Sequence, residues 1–298
     1  MKLEGTYTAI VTPFAEDAAK SIDWAAFDAI IDAQLEGGIT GIVPCGTTGE
    51  SPALSNEEQR AVIERTVKRA KGRAQVIAGA GSNSTHGAIE LAKAAEAAGA
   101  DAVMVVVPYY NKPSQEGLYQ HYVAVAAAVS CPVVVYNIPA RTGIDLGADT
   151  MVRLCETVKN IVAVKEATGN VLRAQELVRR LGDRLTVLCG DDALTLPMIS
   201  VGARGVISVT SNVLPARVVQ ATRAALEGDH TTALRAHLAL LPVHEVMFIE
   251  SNPAPAKAAL AMRGKIRDVV RGPLVPASEK ARVTISAVLE SYARSSET

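Results

Sequence analysis

The chain has 298 residues, of which 49% are hydrophobic and 20% charged, enough for one large barrel with an appendage or for two ordinary domains. With 30 basic and 31 acidic residues the formal net charge is -1, which excludes the basic surplus of a nucleic-acid binder. No apolar run reaches the length of a membrane span, and the first five residues start no apolar export core, so neither a membrane protein nor an exported one is expected.

Aromatic residues are only 4%, so the core must come from Val, Ile, Leu and Ala. The first apolar run covers residues 6–12, and an amphipathic segment at 23–35 follows, closed by Gly37 and Gly38. The second run, 41–45, leads to a helix opened by Ser55-Asn56-Glu57-Glu58, a capping box in which Ser55 accepts from early amides and Glu58 reaches back. The third strand is predicted at 75–80 with a helix over 84–98, ended by Gly99. The fourth, 102–107, is stopped by Pro108 and followed by a helix at 114–129. The fifth, 133–137, is stopped by Pro139, with a helix at 149–157. The sixth starts at Ile161 and is followed by a helix at 171–181. Strands at 185–189 and 205–209, with helices at 193–200 and 215–226, complete the series.

Eight strand–helix pairs in series are the pattern of a (β/α)8 TIM barrel. A doubly wound sheet is the rival, and the regularity of the eight repeats favours closure. After Gly228 the strand signals stop. One or two helices are expected over 230–248, a turn at Pro253 and Pro255, and a last helix over 278–294. The expected organisation is a barrel over residues 1–228 and a C-terminal helical appendix over 229–298, with no Gly/Ser linker between them.

Four cysteines (Cys45, Cys131, Cys155, Cys189) lie far apart, which argues against a zinc site and a disulfide framework and fits reduced thiols in a cytoplasmic protein. Cys45 and Cys189 fall near strand ends, where they either approach a site or act as small buried hydrophobes. The five histidines make no ligand cluster with acids at metal spacing and are assigned surface or structural roles.

The informative stretch is Ile161-Val162-Ala163-Val164-Lys165-Glu166. A buried parallel strand is a continuous apolar run, and a lysine at its end is costly without a task. Barrel chemistry sits at the C-terminal strand ends, and a desolvated lysine offers a free amine that can form a Schiff base with a carbonyl. The alternative is an ammonium that escapes the strand end and pairs with a carboxylate such as Glu166.

Other strand ends are polar or glycine-rich. Gly46-Thr47-Thr48-Gly49-Glu50-Ser51 is either a tight turn or an anion nest for a carboxylate. Tyr109, Tyr110 and Tyr136 are either rim residues or proton carriers, and Arg141 is either solvated or a fork for a carboxylate. Lys112 is a rival Schiff-base candidate in a polar loop. Gly190-Asp191-Asp192 and residues 208–212 complete the rim; the aspartates suggest either a cation or an acidic turn.

Taken together, these motifs resemble the pyruvate-dependent class I aldolase/lyase superfamily, and within it the dihydrodipicolinate synthase family. The segments that carry the resemblance are Gly46–Ser51, Tyr109–Leu118, Tyr136–Pro139, Arg141-Thr142-Gly143, Lys165–Gly169, Gly205–Thr210 and Asn252-Pro253. The resemblance implies that Lys165 forms a Schiff base with pyruvate while Tyr136, Thr47 and Tyr110 relay protons. It implies that Thr48, Gly190 and Ile207 line the pyruvate pocket and that Arg141 receives the carboxylate of L-aspartate-4-semialdehyde. It also implies that no metal or organic cofactor takes part. Tyr110 would reach a neighbouring subunit, so at least a homodimer, and usually a tetramer, is implied. A sister aldolase acting on a sugar-acid aldehyde, and a keto-acid binder without turnover, are the competing readings. Lysine-inhibited relatives carry an acid and a histidine where this chain has Gly87 and Asn56, although Ser51, Asn83 and Tyr109 match; weak or absent lysine inhibition is expected.

Overall fold

A computed structural model describes residues 2–295. Eight parallel strands close into a barrel in sequence order, β1 pairing with β8, as the eight repeats predict. The strands are β1 (Gly5–Ala9), β2 (Gly41–Val43), β3 (Gln75–Gly79), β4 (Ala102–Val106), β5 (Val133–Asn137), β6 (Ile161–Glu166), β7 (Thr186–Cys189) and β8 (Gly205–Ser208). The helices outside them are α1 (Trp24–Glu36), α2 (Asn56–Ala70), α3 (Thr85–Ala97), α4 (Gln115–Ala127), the short α5 (Pro139–Thr142), α6 (Ala148–Thr157), α7 (Val171–Leu181), α8 (Thr195–Ser200) and α9 (Pro215–Leu226). Three more follow: α10 (His230–Val246), α11 (Ala254–Met262) and α12 (Glu279–Ser295). Among the described residues, no helix is long and apolar enough to cross a membrane.

Alternation along each strand divides the apolar residues into two cores. Ala9, Met104, Val134, Ala163, Leu188 and Ile207 point inward and fill the barrel. Val105, Val135, Val164, Val187 and Val206 point outward against the helices. Both faces are therefore apolar, which is why the strands read as continuous runs. Tyr7 closes the bottom, its hydroxyl donating to Gln75 Oε1 at 2.7 Å. A Cβ at Gly41 would lie 2.5 Å from the Tyr7 ring, so the plug requires glycine there.

The outer core continues without a break into the C-terminal helices through Leu240, Val243, Ala258 and Ile285. Residues 230–246 form one helix despite Pro242 inside it. Asn252 and Pro253 form the turn expected there, and Pro255 lies in the first turn of α11, where proline loses no helical hydrogen bond. The first two strands are shorter than predicted. Beyond Ala9 the chain leaves the ladder and bonds loops: the Val11 amide donates to Asn212 Oδ1 and the Thr12 hydroxyl to Gly49 O. Pro44, after β2, has no N–H to donate. The α2 capping box forms as read, with Ser55 and Glu58 bonding reciprocally.

Candidate active site

Pairing register brings Lys165 beside Tyr136. The two are direct partners across β5 and β6, and both point inward at the top of the barrel. Both are buried, and Lys165 Nζ lies 4.2 Å from the centroid of the Tyr136 ring. The ring face offers the ammonium an electrostatic partner without neutralising it. Among the described residues no ion pair joins Lys165 to a carboxylate. Glu166 cannot serve, because alternation turns it outward, where its Oε1 accepts from the Thr168 amide at 2.8 Å. Burial raises the Glu166 carboxyl above its usual range. The charge-paired alternative for Lys165 therefore has no support in the geometry.

Gly190 and Ile207 complete the mouth on the β7–β8 side. A Cβ at Gly190 would stand 3.2 Å from Lys165 Cε and 2.6 Å from Ala167 Cβ, so glycine keeps the space beside the amine open. Ile207 packs in the same inner cluster as Tyr136 and Leu188.

The loop after β2 folds into a compact turn. Its closing bonds run from the Gly49 and Ser51 amides to Gly46 O and from the Glu50 amide to Thr47 O. Among the described residues, no protein acceptor takes the amides of Thr47 and Thr48. Two adjacent free amides in a glycine-flanked turn are the donors that an anion nest would offer a carboxylate. The Thr48 side chain is held away, its Oγ1 accepting from Asn252 Nδ2 at 3.0 Å.

Arg141 stands on α5, a short helix that the sequence reading did not foresee. One face of its guanidinium is tied, donating to Asn252 O at 3.3 Å. Arg141 and Thr47 face a common cavity of about 430 Å³, whose wall includes Tyr109, Ile138 and Ser51. Tyr110 stands apart from this group. It is 87% exposed with φ of 73°, a strained backbone for a non-glycine residue, and among the described residues its hydroxyl has no hydrogen-bond partner. Lys112 is exposed in the same loop.

The whole chain can be set beside known proteins. The sequence matches the Dihydrodipicolinate synthetase family over residues 2–292. The chain belongs to that family. A protein of Sorangium cellulosum named 4-hydroxy-tetrahydrodipicolinate synthase is 58% identical over 286 residues, 96% of this chain and 95% of that one. The 4-hydroxy-tetrahydrodipicolinate synthase of Methylacidiphilum fumariolicum SolV has the same fold at a TM-score of 0.96 and 46% identity, covering 98% of this chain and 97% of that one. The chloride-inhibited dihydrodipicolinate synthase from Acinetobacter baumannii, solved in complex with pyruvate, matches at a TM-score of 0.95 and 42% identity over 98% and 99% of the two chains.

In this member of the dihydrodipicolinate synthetase family, two residues that the sequence marks without giving them these contacts lie near the site. Asn252 contacts both Thr48 and Arg141 from the C-terminal region. Asp192 lies in a short turn after β7, as the acidic-turn alternative has it. It is buried and accepts from the Ser208 hydroxyl and from the Val209 and Thr210 amides, tying the end of β7 to the end of β8. His244 bonds Thr210 Oγ1 at 2.9 Å behind the same loop. Cys45 and Cys189 are buried, and burial pushes both thiols well above the usual range, so neither is poised as a thiolate. The adjacent pair Asp191-Asp192 gives no hint of which carboxylate caps a neighbouring strand; the signal in the sequence is that the pair follows a predicted strand end.

Proposed function

We infer that the protein condenses pyruvate with L-aspartate-4-semialdehyde through a lysine Schiff base, giving 4-hydroxy-tetrahydrodipicolinate for lysine and diaminopimelate synthesis in the cytoplasm. Family membership and the names of the relatives support the reaction. The observation that carries the site reading is the buried Lys165 amine, without a carboxylate partner, against the Tyr136 ring.

Lys165 Nζ adds to the keto carbon of pyruvate, and loss of water leaves an iminium. The amides of Thr47 and Thr48 hold the pyruvate carboxylate. The iminium draws electrons from the adjacent methyl group, which loses a proton through Tyr136 and Thr47 and becomes the enamine carbon. That carbon adds to the aldehyde, whose distant carboxylate rests on Arg141. The amine of the second substrate then attacks the imine carbon, closing the ring and releasing Lys165. In this reading Tyr110 completes the proton chain of a neighbouring copy, which its exposed, strained position suits, and the working unit is at least a dimer. Residues 1–228 carry the reacting side chains, while 229–298 buttress them.

Pyruvate consumption by the purified protein that depends on added aldehyde tests the reaction. Arg141→Ala should raise the aldehyde KM at least about tenfold, since a charge-assisted hydrogen bond contributes about 1.5–3 kcal/mol. Turnover without the aldehyde, or an unaltered aldehyde KM, contradicts the reading. Lysine feedback should be weak. Ser51, Asn56 and Tyr109 border the cavity next to the site, but Gly87 offers no acid to a bound ammonium. Half-maximal inhibition by submillimolar lysine in a steady-state assay would contradict this.

A further inference from the structure

The loop carrying Thr47 and Thr48 is anchored from outside the barrel by one buried ion pair. Glu50 closes the loop in a left-handed conformation, φ 55°. Its Oε1 lies 2.5 Å from Nζ of Lys257 on α11, and both side chains are fully buried. Glu50 Oε2 accepts from the Arg271 amide at 2.9 Å. Lys257 Nζ also donates to Val269 O at 2.8 Å and sits 4.1 Å from the centroid of the Phe14 ring. Arg271 covers the same ring at 4.4 Å and grips Glu58 with two bonds of 2.7 Å.

A buried ion pair is a poor source of stability, because desolvation offsets most of its attraction. Here burial pulls the Lys257 ammonium down to about 8 despite the adjacent Glu50. What such a pair can supply is a unique arrangement. The arrangement it fixes lies beside the substrate. Glu50 follows Thr48 by two residues, and α11 begins just after Asn252, whose amide bonds Thr48.

We propose that Glu50 and Lys257 are a positioning pair for the anion nest, holding the turn in which the Thr47 and Thr48 amides stay free for the keto-acid carboxylate. The proposal rests on the site reading given above. Neither residue touches substrate. Through them the C-terminal helices, which contribute no reacting group, set the affinity for pyruvate.

The test is the amount of borohydride-trapped pyruvate adduct against pyruvate concentration, for the unaltered protein, Glu50→Gln, Lys257→Met and the double variant, with Tm measured alongside. Each single change leaves an unbalanced buried group and lowers Tm, while the double change restores neutrality and recovers most of that loss. The half-saturating pyruvate concentration should rise about fivefold or more in the single variants, the effect of one weakened charge-assisted bond, and should stay raised in the double variant. A double variant that regains both Tm and the original half-saturation overturns the proposal, since the pair would then serve folding alone. If the double variant does not fold, Glu50→Gln assayed well below its own Tm decides: a fivefold rise supports the proposal and an unchanged value overturns it. Absence of any adduct with the unaltered protein overturns the site reading, and the proposal falls with it. An adduct that is normal in the unaltered protein and unmoved in the variants overturns the proposal alone.

Discussion

Two lysines in this chain sit in apolar runs, and the same physics gives them different roles. Lys165 ends a strand, points into the barrel mouth and faces an aromatic ring. Lys257 lies inside the apolar segment APAKAALAM and meets a carboxylate far away in sequence. A lysine among hydrophobes signals a cost that something must offset. The sequence cannot say whether the offset is a partner or a reaction, because the partner's position depends on the fold. For Lys165 the strand-end context left partner and reaction both open, and the family resemblance favoured reaction; for Lys257 there was no such cue. Tyr136, on the strand beside Lys165, is assigned proton transfer. Tyr136→Phe keeps the ring under the amine and removes only the hydroxyl. It should lower kcat by about 10²–10⁴-fold while half-saturating pyruvate changes little. Steady-state kinetics checks this, and a kcat within threefold of the unaltered protein, on the same principle, removes Tyr136 from the proton path.

At the scale of elements, period-two alternation was invisible in the sequence because both faces of every strand are covered, yet run length and the Pro and Gly stops placed all eight strands. The short helix α5 was missed. Four residues carry too little pattern to read, and the helix is tied by long-range bonds: the Tyr110 amide donates to Thr142 O and the Arg141 guanidinium to Asn252 O. Helix-to-helix packing also carries a pH dependence. His121 on α4 is buried, with Nδ1 bonded to Thr85 Oγ1 at the start of α3 at 3.0 Å, and burial pulls its imidazole down to about 4. The unfolded imidazole titrates near 6.5, so on acidification the unfolded chain takes up the proton first. Stability from this group is intact above about pH 6.5, falls as pH drops and is lost by about pH 4, a change of about 3 kcal/mol. Urea denaturation at several pH values should show a shallower acid slope for His121→Asn. Equal slopes would mean that His121 does not stay neutral in the folded state.

The whole molecule is a single structure in function if not in pattern. Barrel and appendix look separable in sequence because strand signals end at Gly228. In the fold they share one outer core, and Asn252 and Lys257 hold the β2–α2 loop from the far side of that boundary. Long-range pairs of this kind leave no local trace in one sequence. Assembly is the remaining level. If Tyr110 serves a neighbouring copy, inactive Lys165→Ala and impaired Tyr110→Phe chains should complement each other. Mixed dimers would contain one site with both residues intact, so unfolding and refolding the two variants together should restore up to about a quarter of full activity. No recovery in verified mixed oligomers would place Tyr110 in its own chain's site or outside catalysis.

The measurement that bears most directly on the account is borohydride reduction with pyruvate, followed by peptide mapping of the modified residue. The account predicts one reduced adduct per chain, located on Lys165 and absent from Lys165→Ala. An adduct on Lys112 or Lys257, or none on a folded protein saturated with pyruvate, would contradict it.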